Sequence, residues 1–208
     1  MKKTKVVHLG SSKFISLIKE NFIVVIFTLI FTFGVLLGCL IFRGGSLLSQ
    51  ATMLTDFFIF SKVGSSFFKV FFSAFLLSFL FLFLTYLFGT SLLGMAFIPL
   101  IVSLRGFVSG LILCELYSLG AVNALVINLL TVIPGTVISV LALISGACNC
   151  LNLSYHLGKL SIGDGQALHK IDIKRYLSRF AVLTLVTVIA ALFESFMSIA
   201  FQNFFSFG

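Results

Sequence analysis

The stretch from Phe22 to Phe42 runs for 21 residues without one charged side chain, and it is the first of several such runs. As a helix it measures about 31 Å, the thickness of a bilayer's hydrocarbon core. A small soluble domain has no interior able to cover repeated runs of that length, whereas lipid solvates them directly. Composition agrees: of 208 residues, 60% are hydrophobic and 10% charged, and the mean hydropathy is +1.21. An average soluble domain has about 25% charged residues. The pattern excludes a soluble globular protein and predicts an all-α, polytopic membrane helix bundle forming a single integral-membrane domain.

The beginning of the chain imitates an export signal. Lys2, Lys3, Lys5, Lys13 and Lys19 precede the apolar run, and Leu36-Leu37-Gly38-Cys39 looks like a lipoprotein cleavage box. A signal's apolar region is about 7 to 15 residues. This run is longer and continues past the cysteine through Leu40, Ile41 and Phe42, so a retained first membrane helix is expected. The four cysteines, Cys39, Cys114, Cys148 and Cys150, all lie in apolar runs and read as small hydrophobes. Cys148-Asn149-Cys150 lacks zinc spacing and has no following His or Cys pair to complete a site. No metal and no cofactor are expected.

Beyond Arg43-Gly44-Gly45, the segment Ser46 to Ser61 places Leu47, Ala51, Leu54 and Phe58 at three- and four-residue spacing, opposite Ser49, Gln50, Thr52 and Asp56. Such a stripe suits a helix in the membrane interface, one docked against a partner's helix, or a solvated loop helix. A second spanning helix is expected from Phe67 to Phe88. A third runs from Ser91 to Tyr117, interrupted by Pro99 and Arg105-Gly106, so a kink is expected. Val122 to Leu153 is 32 residues, about 48 Å as a helix and too long for one crossing. Pro134-Gly135 divides it, because proline removes a backbone donor and disfavours helical geometry before it. The expectation is a short re-entrant or interfacial segment, Val122 to Ile133, and then a spanning helix from Thr136 to Leu153. The last span runs from about Phe180 to Ala200. The total is about five spanning helices with a kinked or re-entrant middle region.

Charge placement sets the expected orientation. The net charge of +8 and a pI near 9.6 could suggest nucleic acid, yet the basic residues cluster as topology signals. Five lysines lie in the arm 1–21. Lys159, Lys170, Lys174, Arg175 and Arg179 lie in the loop 154–179, whereas the segment 43–66 holds only Arg43 and Lys62. By the positive-inside rule the first two are cytoplasmic and the third is extracytoplasmic. The N-terminus is then cytoplasmic and the C-terminus extracytoplasmic. The basic clusters face anionic headgroups of the lipid bilayer rather than nucleic acid.

Charges at membrane depth cost about 2.5 to 3.5 kcal/mol each on insertion scales, so those retained are candidate functional residues. Arg105 interrupts the third helix, and Glu194 lies more than half-way through the last. A pair between them would offset much of the cost. Alternatively Arg105 snorkels to the interface and Glu194 is a neutral packing residue. Gly34-xxx-Gly38 and Gly106-xxx-Gly110 permit close helix approach, for which internal packing is expected ahead of a dimer face; self-association is left open. No enzyme is expected. Asp56 is the only carboxylate in the outer loop, His8, His156 and His169 all fall on the cytoplasmic side, and Gly163-Asp164-Gly165 lacks a P-loop's Lys-Ser/Thr.

Taken in order, these features resemble the stage II sporulation protein M family of bacterial multi-pass membrane proteins, from about Lys13 to Phe205. The resemblance rests on several short motifs. Phe33-Gly34-Val35-Leu36-Leu37-Gly38 closes the first helix, and Ser46-Leu47-Leu48-Ser49-Gln50 and Asp56-Phe57-Phe58 follow in the outer loop. Leu93-Gly94-Met95 then leads to a proline and Arg105-Gly106, followed by Val132-Ile133-Pro134 and Leu192-Phe193-Glu194. The family pattern places its proline closer behind Gly-Met and often has Lys before the glycine; here these are Pro99 and Arg105. The resemblance implies a non-enzymatic scaffold that recruits membrane-anchored peptidoglycan hydrolases to the septum, where they remodel the wall during engulfment of the forespore. It places such a protein in the septal or engulfing mother-cell membrane of a sporulating host. The rival expectation is a transporter or permease subunit with an intramembrane Arg105/Glu194 site, since broken helices such as that expected at Pro134-Gly135 build many carrier sites.

Overall fold

The computed structural model describes residues 22–43, 67–91, 93–118, 122–161 and 173–205. Among these residues, all regular structure is helical: α1 (Phe22–Arg43), α2 (Phe67–Gly89), α3 (Gly94–Ser118), α4 (Val122–Ser161) and α5 (Ile173–Phe205). Each holds a segment long and apolar enough to cross a membrane: Phe22–Phe42, Phe67–Gly89, Gly94–Cys114, Ile133–Tyr155 and Tyr176–Ala200. The chain is thus a multi-pass membrane helix bundle. The basic arm 1–21 and nearly all of the loop 43–66, including the stripe Leu47, Ala51, Leu54 and Phe58, lie outside the described residues.

Two expectations are corrected. No break occurs at Pro134-Gly135: α4 is one helix of 40 residues with Pro134 inside it, and 122–132 extends it instead of forming a separate re-entrant segment. The physical reason is that proline removes one donor, whereas ending the helix there would leave several backbone groups without partners. Side-chain bonds reinforce the following turn, Thr136 Oγ1 donating to the carbonyl of Ile133 at 2.9 Å and Ser139 Oγ to that of Thr136 at 2.9 Å. The polar loop expected over 154–179 is also shorter, since α4 continues to Ser161 and α5 starts at Ile173.

Contacts between helices set their directions. Gly34 and Gly38 on α1 meet Ser103 and Phe107 on α3 in ascending order, so these two helices run parallel. Ser139 and Ser154 on α4 meet Arg105 and Ser91 in descending order, so α4 runs against α3. Tyr176 of α5 bonds Tyr86 near the end of α2. Hence α1, α3 and α5 run one way, and α2 and α4 the other. α4 packs against all four other helices, whereas α1 lies along α3 and scarcely touches α2, its neighbour in sequence.

The α1–α3 contact explains the four glycines. A Cβ on Gly34, Gly38, Gly106 or Gly110 would collide with a carbonyl oxygen of the facing helix, that of Ser103, Phe107, Phe31 and Val35 respectively. The two small-residue motifs face each other inside one chain. Lipid tails are as apolar as the side chains, so such association is driven by close backbone packing rather than by hydrophobic burial. On α2, Phe67, Phe71, Phe75, Phe79 and Phe83 recur every fourth residue and stack along one face with centroids 5.4 to 6.5 Å apart. Phe79 reaches Phe180 of α5 at 6.4 Å.

Packing density divides the bundle in two. Towards the α2–α3 turn the interior is closed, with Phe27, Leu82, Ile98, Val102, Ala147 and Cys150 at 2% exposure or less. The other half encloses a cavity.

Candidate functional site

The cavity has a volume of about 580 Å³ and lies between α1, α2, α3 and α4, with Glu194 of α5 completing its wall. Its surface is mostly aliphatic, from Val35, Leu77, Ile112, Val140 and Ile144. Among the described residues, polar groups are few in its wall, and the charged ones there are Arg105 and Glu194.

Arg105 sits near the centre of the Gly94–Cys114 span and is 3% exposed. It does not snorkel. Its guanidinium is held by two features of the surrounding helices: Nη2 donates to Ser139 Oγ at 3.5 Å, and Cζ stands 5.7 Å from the centre of the Phe81 ring; Glu194 lines the same cavity. A cation over a ring face within about 6 Å gains most where both are desolvated, as they are here. Glu194 is 5% exposed and abuts Gly135 of α4. A Cβ on that glycine would stand 2.9 Å from Glu194 Cβ and 3.1 Å from Oε2.

The residues singled out in the sequence are therefore brought together, though not in the way expected. Pro134-Gly135 supplies no break; instead Gly135 supplies space for the Glu194 side chain. Sequence reasoning missed Ser139 and Phe81. Ser139 lies one helical turn past Gly135 and so on the same face, a signal that could have located it. Phe81 is one of 27 phenylalanines, and nothing local distinguishes it. The hydroxyls in the wall mostly bond their own helix: Thr28 to the carbonyl of Val24 and Thr32 to that of Leu29, both at 2.9 Å, and Ser109 to that of Arg105 at 2.9 Å. This back-bonding spends their donors locally.

At the closed end, side chains fasten the α2–α3 turn to α4 and α5. Tyr176 Oη donates to the carbonyl of Tyr86 at 2.8 Å and lies 3.4 Å from Cys150 Sγ. Ser154 Oγ donates to the carbonyl of Ser91 at 2.8 Å, and Arg179 Nη1 donates to Asn149 Oδ1 at 2.6 Å. Gly89 is needed there, since a Cβ would meet Cys150 Cβ at 2.7 Å and Tyr176 Oη at 2.8 Å. Cys39 joins α1 to α3, its Sγ donating to the carbonyl of Gly110 at 3.5 Å, and Cys114 lies one helical turn past Gly110 on α3.

A family model described as stage II sporulation protein M matches residues 23–199, a stretch that takes in all five spans but for Phe22 and Ala200 at their outer ends. The chain belongs to the stage II sporulation protein M family. No curated protein and no solved structure gives a significant match. The match takes in the elements that carry the glycine contact, the cavity and the Arg105 and Glu194 side chains.

Proposed function

We propose that this protein is a non-enzymatic scaffold of the cell membrane that recruits and localises membrane-anchored peptidoglycan hydrolases for septal wall remodelling and forespore engulfment. The family match over residues 23–199 carries the reading. It is supported by the wide lipid-facing surface, where Leu29, Phe33, Phe68, Phe72, Leu185 and Phe196 each exceed 59% exposure and could receive single membrane helices. On this reading the N-terminus is cytoplasmic, the C-terminus extracytoplasmic, and the stripe Leu47, Ala51, Leu54 and Phe58 meets the partners outside. The test is a mild-detergent pull-down of the tagged protein from its native cells, with mass spectrometry of the chains that co-purify. Single-pass proteins bearing wall-hydrolase domains should appear with the wild type and be lost from Leu54→Asp/Phe58→Asp; a set without hydrolases overturns the reading.

A second reading, a transporter or permease subunit, is favoured by one observation, the cavity that Arg105 and Glu194 both line. Glu194→Gln separates the two. A carrier loses transport while its complex stays intact, whereas a scaffold keeps its partners or loses them together with its own assembly.

A further inference from the structure

The cavity's mouth lies at membrane depth. Leu36, Leu113, Val137 and Leu141 line it and are yet 42 to 61% exposed, and all four fall within spanning segments. Whatever enters between α1 and α4 therefore arrives sideways, from the hydrocarbon. A volume of about 580 Å³ is typical of small-molecule pockets, which run from about 300 to 1,000 Å³ with apolar walls and a few placed polar groups. That volume is a fraction of what a spanning helix about 10 to 12 Å across and about 30 Å long occupies.

The polar groups decide the head of the occupant. Arg105 offers N–H donors, and Glu194 offers a carboxyl group with about four acceptor positions in all, some of them taken by the interaction it already makes. A charged headgroup would bring an uncompensated charge into the apolar interior, which is costly. A neutral carboxylic acid satisfies both sides, its carbonyl oxygen accepting from Arg105 and its O–H donating to Glu194. Arg105 lies near mid-span, so the head must be small enough to leave the interface. We propose that the cavity is a binding site for a long-chain fatty acid in its neutral form, with the chain along Leu77, Val140 and Ile144 and the carboxyl group at Arg105 and Glu194. This site stands independently of the scaffold reading.

The test uses the full chain purified in mild detergent and a palmitic acid analogue carrying a diazirine, with photolabelled residues located by peptide mass spectrometry. Labelling of Leu77, Val140 and Ile144 should saturate and fall at least about tenfold, a 1.4 kcal/mol preference, with excess palmitic acid. Hexadecane and phosphatidylglycerol should compete poorly. The lipid-facing Phe72 and Leu185 should label without saturation. Val140→Phe and, separately, Leu77→Phe should abolish the saturable labelling while leaving that of Phe72 and the melting temperature in place; two positions guard against one variant failing to fold. Equal competition by hexadecane removes the head recognition, and equal competition by phosphatidylglycerol makes the occupant an ordinary lipid tail. Either result overturns the proposal, as does non-saturable labelling of the cavity or a cross-linked protein segment inside it.

Discussion

Gly135 on α4 lies against the side chain of Glu194 on α5, so closely that a Cβ would stand 2.9 Å from the glutamate's own Cβ. A glycine within a helix gives up about 1 kcal/mol relative to alanine. Here that loss admits a buried carboxylate to a cavity that also holds Arg105.

Adding a methyl group at this point sets that small helix gain against overpacking, which costs about 1 to 3 kcal/mol. Gly135→Ala is expected to lower the melting temperature of the detergent-solubilised protein, and Gly135→Val to lower it further. A rise with alanine would show that α4 and α5 separate freely there.

Arg105 and Glu194 should behave as a coupled unit. Both charges line one cavity, and where two such buried charges compensate each other, removing one costs up to about 3 to 5 kcal/mol. Arg105→Gln and Glu194→Gln should each lower the stability measurably while leaving a folded bundle, and the double variant should cost clearly less than the sum of the two. Unfolding followed by circular dichroism during titration of mixed micelles measures the cycle. Simple additivity would mean that the two charges do not support each other.

The glycine contact between α1 and α3 makes a prediction that needs no assay of function. Because a Cβ on Gly106 would collide with the carbonyl of Phe31, Gly106→Ile should force the helices apart at a cost of about 3 kcal/mol or more. Cys39 on α1, which bonds the Gly110 carbonyl of α3, and Cys114, one turn further along α3, report on this directly. A short bifunctional thiol reagent should join them in the wild type and fail to do so in the variant, as read by mass spectrometry of the linked peptides.

At the closed end, Tyr176→Phe removes the bond to the Tyr86 carbonyl at 2.8 Å. A typical net loss is about 0.5 to 1.5 kcal/mol. Ser154→Ala, which frees the Ser91 carbonyl, should act similarly, with faster amide exchange around the α2–α3 turn as the local signature. Unchanged exchange in both variants would show that these bonds do not fasten the turn.

Sequence and tertiary structure divided the specification of this protein unequally. The number, positions and approximate ends of the five spans were legible from Phe22 to Ala200, because a hydrocarbon core demands about 20 apolar residues per crossing and every charge inside it is conspicuous. Arg105 and Glu194 stood out for the same reason, the paired glycines by their four-residue spacing, and the family resemblance by the order of its short motifs. Pro134 does not break α4: a local rule counts the proline's lost donor and not the several backbone groups that two new helix ends would leave without partners. Which helix faces which was invisible. α2 and α5 are apolar around most of their circumference, and lipid is as apolar as a neighbouring helix, so no amphipathic stripe marks the packed side. Only the folded bundle decided that α1 lies along α3, that Gly135 receives Glu194, and that Ser139 and Phe81 hold Arg105. These pairings rest on fit between surfaces far apart in sequence, and no single segment encodes such fit.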